Sequence, residues 1–145
     1  LRYQIYDCSK DRVPLKDEIK YLQDYIKLEK VRRDQLEVKF DLKGNPNGKM
    51  IAPLMLIPLL ENAFKYSADP SGKAAFIHIV IQIEEQQFLL KMENSIGNVQ
   101  KDEANSGIGL SNVKRRLELI YPDSHELELQ STPEIFSAQL NIKLS

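Results

Sequence analysis

The chain has 145 residues, 42% of them hydrophobic, which is enough to close one core and to read as a single domain. Twenty basic against twenty-one acidic side chains leave a formal net charge of -1, which argues against a general attraction to nucleic acid or to anionic lipid. No apolar run approaches the roughly 18 to 20 residues that span a bilayer and no signal peptide opens the sequence, so the piece is expected to be soluble. Its single cysteine, Cys8, cannot form an internal disulfide and is expected to be a free surface thiol. The sequence begins without Met at "LRYQIYDCSK" and enters a helical pattern almost at once, as a piece of a longer protein would.

From Pro14, suited to the first turn of a helix, apolar residues recur at Leu15, Ile19, Leu22 and Ile26, which predicts one amphipathic helix ending near Arg33. "QLEVKFDL", residues 35–42, alternates Leu36, Val38, Phe40 and Leu42 with polar neighbours as a half-buried strand does, and "KGNPNGK" breaks it. A second helix is entered around Pro53, with Pro58 either kinking it or marking its true start. "AAFIHIVIQIEE" and "QFLLKME" follow as two strands of a hairpin turning at Glu84 to Gln87. From Asn94 to Gly109 the composition becomes small and polar and predicts a long loop. Leu110, Val113, Leu117 and Ile120 restore a helical stripe up to Tyr121-Pro122, and "HELELQS" and "EIFSAQLNIKL" close the chain as strands. This order predicts an α+β fold, a two-layer α/β sandwich with a mixed, mostly antiparallel sheet and the helices on one face.

The second helix carries the first candidate site. At about 100° per residue, Leu56, Leu59, Leu60, Ala63 and Phe64 fall on one side and Glu61, Asn62, Lys65 and Tyr66 on the other. A carboxylate, an amide oxygen and an ammonium group together could hold a divalent cation and a phosphate chain, because magnesium keeps oxygen ligands and a neutral amide can help while the phosphates supply charge. Taken alone, the same residues also read as a solvated face with a Glu61 to Lys65 ion pair, worth a few tenths of a kcal/mol.

The second candidate is "SGIGLSNVKRRL", residues 106–117. Gly107 and Gly109 allow close approach of the backbone to a ligand, and a helix starting near Leu110 would aim free N–H groups at a phosphate, with Lys114, Arg115 and Arg116 adding charge. A glycine-rich hinge is the plainer explanation. The stretch is neither a P-loop nor a dinucleotide fingerprint.

Together "LLENAFKY" and "SGIGLSNVKRRL" resemble the N box and second glycine box of the GHKL (Bergerat) ATP-binding fold. The match is closer to LytS-like sensor histidine kinases, through Pro53, Pro58, Leu59, Glu61, Asn62 and Ala63, then Gly107, Gly109, Leu110, Asn112, Arg116 and Leu117. The first helix is similar to that class as well, with Leu15, Glu18, Leu22, Tyr25, Glu29 and Arg32 at matching places. The resemblance implies that residues 1–33 end a phosphoacceptor or linker region and that 34–145 form the catalytic ATP-binding domain. It implies ATP and magnesium as cofactors, with Asn62 as the metal ligand, Lys65 on a phosphate, Tyr66 beside it, and Glu61 as the acid helping to activate the incoming histidine. Gly107, Gly109, Leu110 and Asn112 would flank the triphosphate, and residues 95–106 would form a lid. The implied partners are an upstream phosphoacceptor hairpin, a dimer mate and a response regulator, with no nucleic acid and no direct membrane contact. The implied location is cytoplasmic, in a protein anchored in the inner membrane.

Three departures stand out. Where the family has an Asp-x-Gly-x-Gly box this chain reads "MENSIGNVQ", with Asn94 in place of the adenine-binding aspartate and Ile96 and Asn98 where glycines are expected. An amide oxygen still accepts the adenine amino hydrogen but gives up the charge-assisted bond. Tyr66 stands where a histidine is common. No phosphoacceptor motif precedes residue 14, and neither His78 nor His125 is expected to be the acceptor. A non-catalytic nucleotide-binding or interaction module and an anti-sigma-type serine kinase are the alternatives the sequence leaves open.

Overall fold

A computed structural model describes residues 12–33, 35–67, 75–96 and 103–144, without the side chains of 103–109. Cys8, Asn98 and positions 97–102 of the expected lid lie outside the described residues. In chain order the elements are β1 (Val13–Pro14), α1 (Leu15–Arg32), β2 (Glu37–Lys43), β3 (Met50–Ile51), α2 (Ile57–Ser67), β4 (Phe76–Glu84), β5 (Gln87–Ser95), α3 (Glu103–Ile120), β6 (His125–Ser131) and β7 (Ile135–Lys143).

β2, β4, β5, β7 and β6 form one five-stranded sheet in that spatial order. β2 and β4 are parallel, and every other pair in the sheet is antiparallel. The period of two sends Ile77, Ile79, Ile81 and Ile83 of β4 to one face, joined by Phe88, Leu90 and Met92 of β5 and by Ala138, Leu140 and Ile142 of β7. These side chains are buried. The helices supply the second layer: Ile19, Leu22 and Ile26 of α1, Leu59, Leu60, Ala63 and Phe64 of α2, and Val113 and Leu117 of α3 enter the same core. The expected two-layer α+β architecture is therefore observed.

α1 begins where the stripe predicts, with Pro14 at the N-cap, Asp17 and Glu18 in the first turn and Lys30 and Arg32 in the last, an order that complements the helix dipole. Its leading amide, on Leu15, donates to the Lys49 carbonyl at 2.8 Å. That bond belongs to a short ribbon in which Val13 pairs with Ile51 and Pro14 with Met50. Two-residue strands carry no alternation, so this ribbon leaves no pattern in the sequence. Pro58 marks the start of α2 rather than a kink, being its second residue, where a missing N–H costs nothing.

The stretch 94–109 departs from expectation. β5 continues through Ser95, and α3 starts at Glu103, seven residues before Leu110. Glu103 and Ala104 are strong helix formers, and the two glycines add only about 1 kcal/mol each against a helix already nucleated upstream. The N–H groups of Gly107, Gly109 and Leu110 consequently sit inside the helix, beyond the first four residues whose amides lack an intrahelical acceptor. Free donors belong to 103–106 instead.

Between β2 and β3, Asn45 Oδ1 accepts the Asn47 amide at 2.9 Å, and both Gly44 and Gly48 take positive φ. The two glycines are not equivalent. A Cβ at Gly44 would lie 2.1 Å from the Ile83 carbonyl oxygen, whereas one at Gly48 would meet nothing within 4 Å. Gly44→Ala is expected to destabilise the protein by about 2 kcal/mol or more, and Gly48→Ala by about 1 kcal/mol, from its backbone conformation alone. Urea unfolding of the two variants checks the difference.

Candidate functional site

α2 lies against β4, β5 and α3. Its apolar side is buried, so its polar side faces outward: Glu61 and Lys65 are exposed, and Asn62 and Tyr66 are half-buried. Among the described residues no ion pair joins Glu61 to Lys65. The Lys65 ammonium instead lies 5.7 Å from the centroid of the Tyr66 ring. The carboxylate and the ammonium are thus both open to a ligand.

On the neighbouring strand, Asn94 points to the same side of the sheet as Phe88, Leu90 and Met92 and is only 1% exposed. Its Nδ2 donates to the Ser95 carbonyl at 2.8 Å, which leaves Oδ1 as the end that can accept a proton from a ligand. On α3, Asn112 is exposed and Leu110 half-buried. Lys114 and Arg115 are exposed as well, but Arg116 is committed elsewhere.

Arg116 reaches across to the approach of α2, where Nη1 donates to the Leu54 carbonyl at 3.0 Å and Nη2 to the Pro53 carbonyl at 2.7 Å. Leu54 has φ of 55°, a left-handed conformation that costs a non-glycine residue about 1–2 kcal/mol. The guanidinium fork holds this turn in place and ties α3 to the start of α2. Nearby, the Tyr121 hydroxyl accepts the Ala52 amide at 3.0 Å.

The other end of α2 meets the end of α1. The Arg33 guanidinium donates to the Phe64 carbonyl, which also accepts a bond from Ser67 Oγ at 3.3 Å. Tyr25 packs edge-on against the Phe64 ring with centroids 5.5 Å apart. Burial pushes the Tyr25 phenol up from 10.0 to about 12; the carboxylates of Glu29 and Glu61 add to the rise, and the Arg33 and Arg32 guanidinium groups oppose it. The influence of Glu61 places the polar side of α2 within electrostatic reach of α1. Arg116 and Tyr25 stood out in the sequence as motif positions; nothing there singled out Arg33.

The histidines lie apart from this face. His78 is on the outer side of β4, its ring 4.7 Å from that of Phe76. His125 Nδ1 contacts the Tyr121 carbonyl, and Nε2 lies 3.5 Å from Glu118.

An exposed carboxylate, an amide and an ammonium on one helix can bind a phosphate chain. Among the described residues no cluster of three or more His, Cys, Asp or Glu side chains could cage a metal ion. The oxygen donors of Asn62 and Glu61 nonetheless suit magnesium, a hard cation that takes one or two protein ligands and completes its shell with phosphate and water.

Comparison with known proteins first defines the class of fold. No protein-family model matches the chain. The solved catalytic domain of histidine kinase ThkA, in a nucleotide-free form, superposes with a TM-score of 0.61 at 14% identity, covering 92% of this chain and 94% of that one. A structure of ThkA in complex with the response regulator protein TrrA superposes with a TM-score of 0.60 at 16% identity, covering 92% of this chain and 41% of that one. The fold is that of a histidine kinase catalytic domain. Sequence relatives agree: the chain is 25% identical to sensor histidine kinase BtsS of Escherichia coli over 126 residues, 86% of this chain and 22% of that protein. It is 30% identical to sensor histidine kinase YpdA of the same species over 146 residues, 93% of this chain and 26% of that protein. Its homologues are sensor histidine kinases, and it spans about a quarter of their length.

Arg116→Ala is expected to cost about 2 kcal/mol, because it removes two charge-assisted bonds and leaves the Pro53 and Leu54 carbonyls unmatched; chemical denaturation measures it. Tyr25 contributes to alkaline stability. Its folded pKa lies above its unfolded value, so its contribution is complete below about pH 10 and is lost as pH rises towards about 12. Tyr25→Phe should therefore flatten the fall in stability across that window, a difference read from urea midpoints of the two proteins at pH 9 to 12.

Proposed function

We propose that this chain is the catalytic, ATP-binding domain of a two-component sensor histidine kinase of the LytS-like type. It would transfer the ATP γ-phosphoryl group to a histidine elsewhere in the kinase dimer, for relay to an aspartate of a response regulator. The observation that carries this reading is the outward polar side of α2, with Glu61, Asn62, Lys65 and Tyr66 together on a helix whose other side is core.

In this reading Lys65 pairs with phosphate oxygens, and Asn62 is the protein ligand of magnesium, which supplies charge neutralisation when bound. Glu61 is the exposed base that orients the incoming histidine and accepts its proton. Asn94 Oδ1 accepts the adenine amino hydrogen, and because Nδ2 is held by Ser95 the amide keeps a preference for adenine over guanine. Asn112, Leu110 and the glycines of α3 border the triphosphate. Phosphoryl transfer depends mostly on positioning and on neutralising charge, so these few groups suffice.

The outer side of α1 supports the partners implied. Leu28 and Val31 are 70% and 83% exposed on that helix, an apolar pair suited to packing against the phosphoacceptor hairpin or its dimer mate. Among the described residues no helix is long and apolar enough to cross a membrane. In this reading the domain sits in the cytoplasm and the membrane anchor lies elsewhere in the protein. The neutral Asn94 favours one second reading, a nucleotide-binding module without transfer activity.

Calorimetric titration with ATP, with and without magnesium, tests the site. The parent chain should bind more tightly with magnesium, and Asn62→Ala should remove that gain while leaving the fold intact. Asn94→Leu should weaken ATP binding about tenfold or more, since the adenine amino group loses its acceptor. Unchanged magnesium dependence in Asn62→Ala would reject Asn62 as the metal ligand. Intact ATP binding without phosphotransfer by the full-length protein would select the second reading.

A further inference from the structure

The last four carbonyls of a helix have no intrahelical partner and carry the negative end of its dipole. In α2 that turn holds Phe64 and Lys65, one turn beyond Glu61 and Asn62. The Phe64 carbonyl is met by Arg33, the C-cap residue of α1. The guanidinium is aimed by its own helix: Nε lies 3.6 Å from Glu29 Oε2, and the guanidinium carbon lies 5.9 Å from the Phe64 ring centroid. Tyr25 closes the same corner from the next turn of α1. Arg33 touches none of the groups assigned to nucleotide, yet it is bonded to the turn that carries Lys65.

Glu29 Oε2 itself is buried without a hydrogen bond, since 3.6 Å is ion-pair but not hydrogen-bond distance. Glu29 Oε1 accepts from Arg32 Nη1 at 3.4 Å, so the corner is held by these charges, by the Tyr25–Phe64 ring contact and by the Arg33 carbonyl bond, with Oε2 left unsatisfied. A small displacement at the end of α1 would pass to α2 through Arg33.

We propose that Arg33 is a positioning residue for the phosphate-facing side of α2, and that through it the end of α1 sets the geometry of Asn62 and Lys65. This rests on the nucleotide-binding reading above. Asn94, on β5, is not bonded to Arg33, so the phosphate half of the site depends on this contact and the adenine half does not.

The test is the ratio of ATP affinities of the full chain measured with magnesium and with a chelator. Arg33→Ala is expected to reduce affinity about tenfold in magnesium and only about threefold in chelator, where the Lys65 contact alone is weakened, so that the ratio falls, and Arg33→Lys, which keeps a charged donor, should recover most of the loss. Equal weakening under both conditions would leave the ratio unchanged and mean that Arg33 merely supports the fold, and unchanged affinity under both would mean that it does not position the site; either overturns the proposal. Circular dichroism confirms folding, and should Arg33→Ala fail to fold, Arg33→Gln is judged by the same ratio. If the parent chain shows no magnesium-dependent ATP binding, the nucleotide reading fails and this inference with it; if the parent binds and only the variant ratio is normal, this inference alone fails.

Discussion

The burial of one side of α2 against β4 and β5 is the constraint from which the rest of the site follows. Leu59, Leu60, Ala63 and Phe64 occupy a core built from Ile77, Ile79 and Ile81 on one strand and Phe88, Leu90 and Met92 on the next. Each of these side chains larger than alanine stabilises the fold by about 1.5–3 kcal/mol when fully buried, far more than the polar contacts on the opposite side can contribute. The helix cannot roll without exposing them. Glu61, Asn62 and Lys65 are consequently held outward by packing behind them rather than by bonds among themselves, which leaves their polar atoms free for a ligand.

Packing fixes the rotation of α2, and contacts at its two ends add to the hold on its position. A guanidinium group makes the contact at each end. Arg116 binds the strained turn before the helix, and Arg33 binds a carbonyl of its last turn. The two arginines come from different helices, one carrying the glycine motif and the other ending the segment that resembles a connector. α2 is thus the element on which the other two helices converge. In the proposed kinase, the phosphate-binding face would respond to both.

The sheet plays a quieter part. Its outer face carries His78, Lys39, Glu93 and Lys91 and has no second layer among the described residues, whereas its inner face ends at the buried Asn94. A polar amide in that position is accommodated because Ser95 takes its donor end. The same bond gives the amide a direction. In the proposed nucleotide site an acceptor at this end is what an adenine amino group would require, so the change from the aspartate of the family pattern would preserve the hydrogen-bonding sense while lowering its charge.

Local pattern alone made much of this legible. The stripes in α1 and α2, the alternation in β4 and β5 and the punctuation at Gly44 and Gly48 each reflect a period or a backbone preference contained within a few residues, and the two sides of α2 were separable for the same reason. The start of α3 was not legible, because small polar residues between Asn94 and Gly109 suit a loop and a helix end almost equally, and the choice lies in what the neighbouring elements allow. Nor could the sequence disclose the β1–β3 ribbon, the fork of Arg116 on Pro53 and Leu54, or the meeting of Arg33 with Phe64. These contacts join residues 31 to 63 positions apart, and chemistry at such separations depends on how the layers are stacked. The candidate site groups were named from the sequence; the contacts that support them were decided by the tertiary structure.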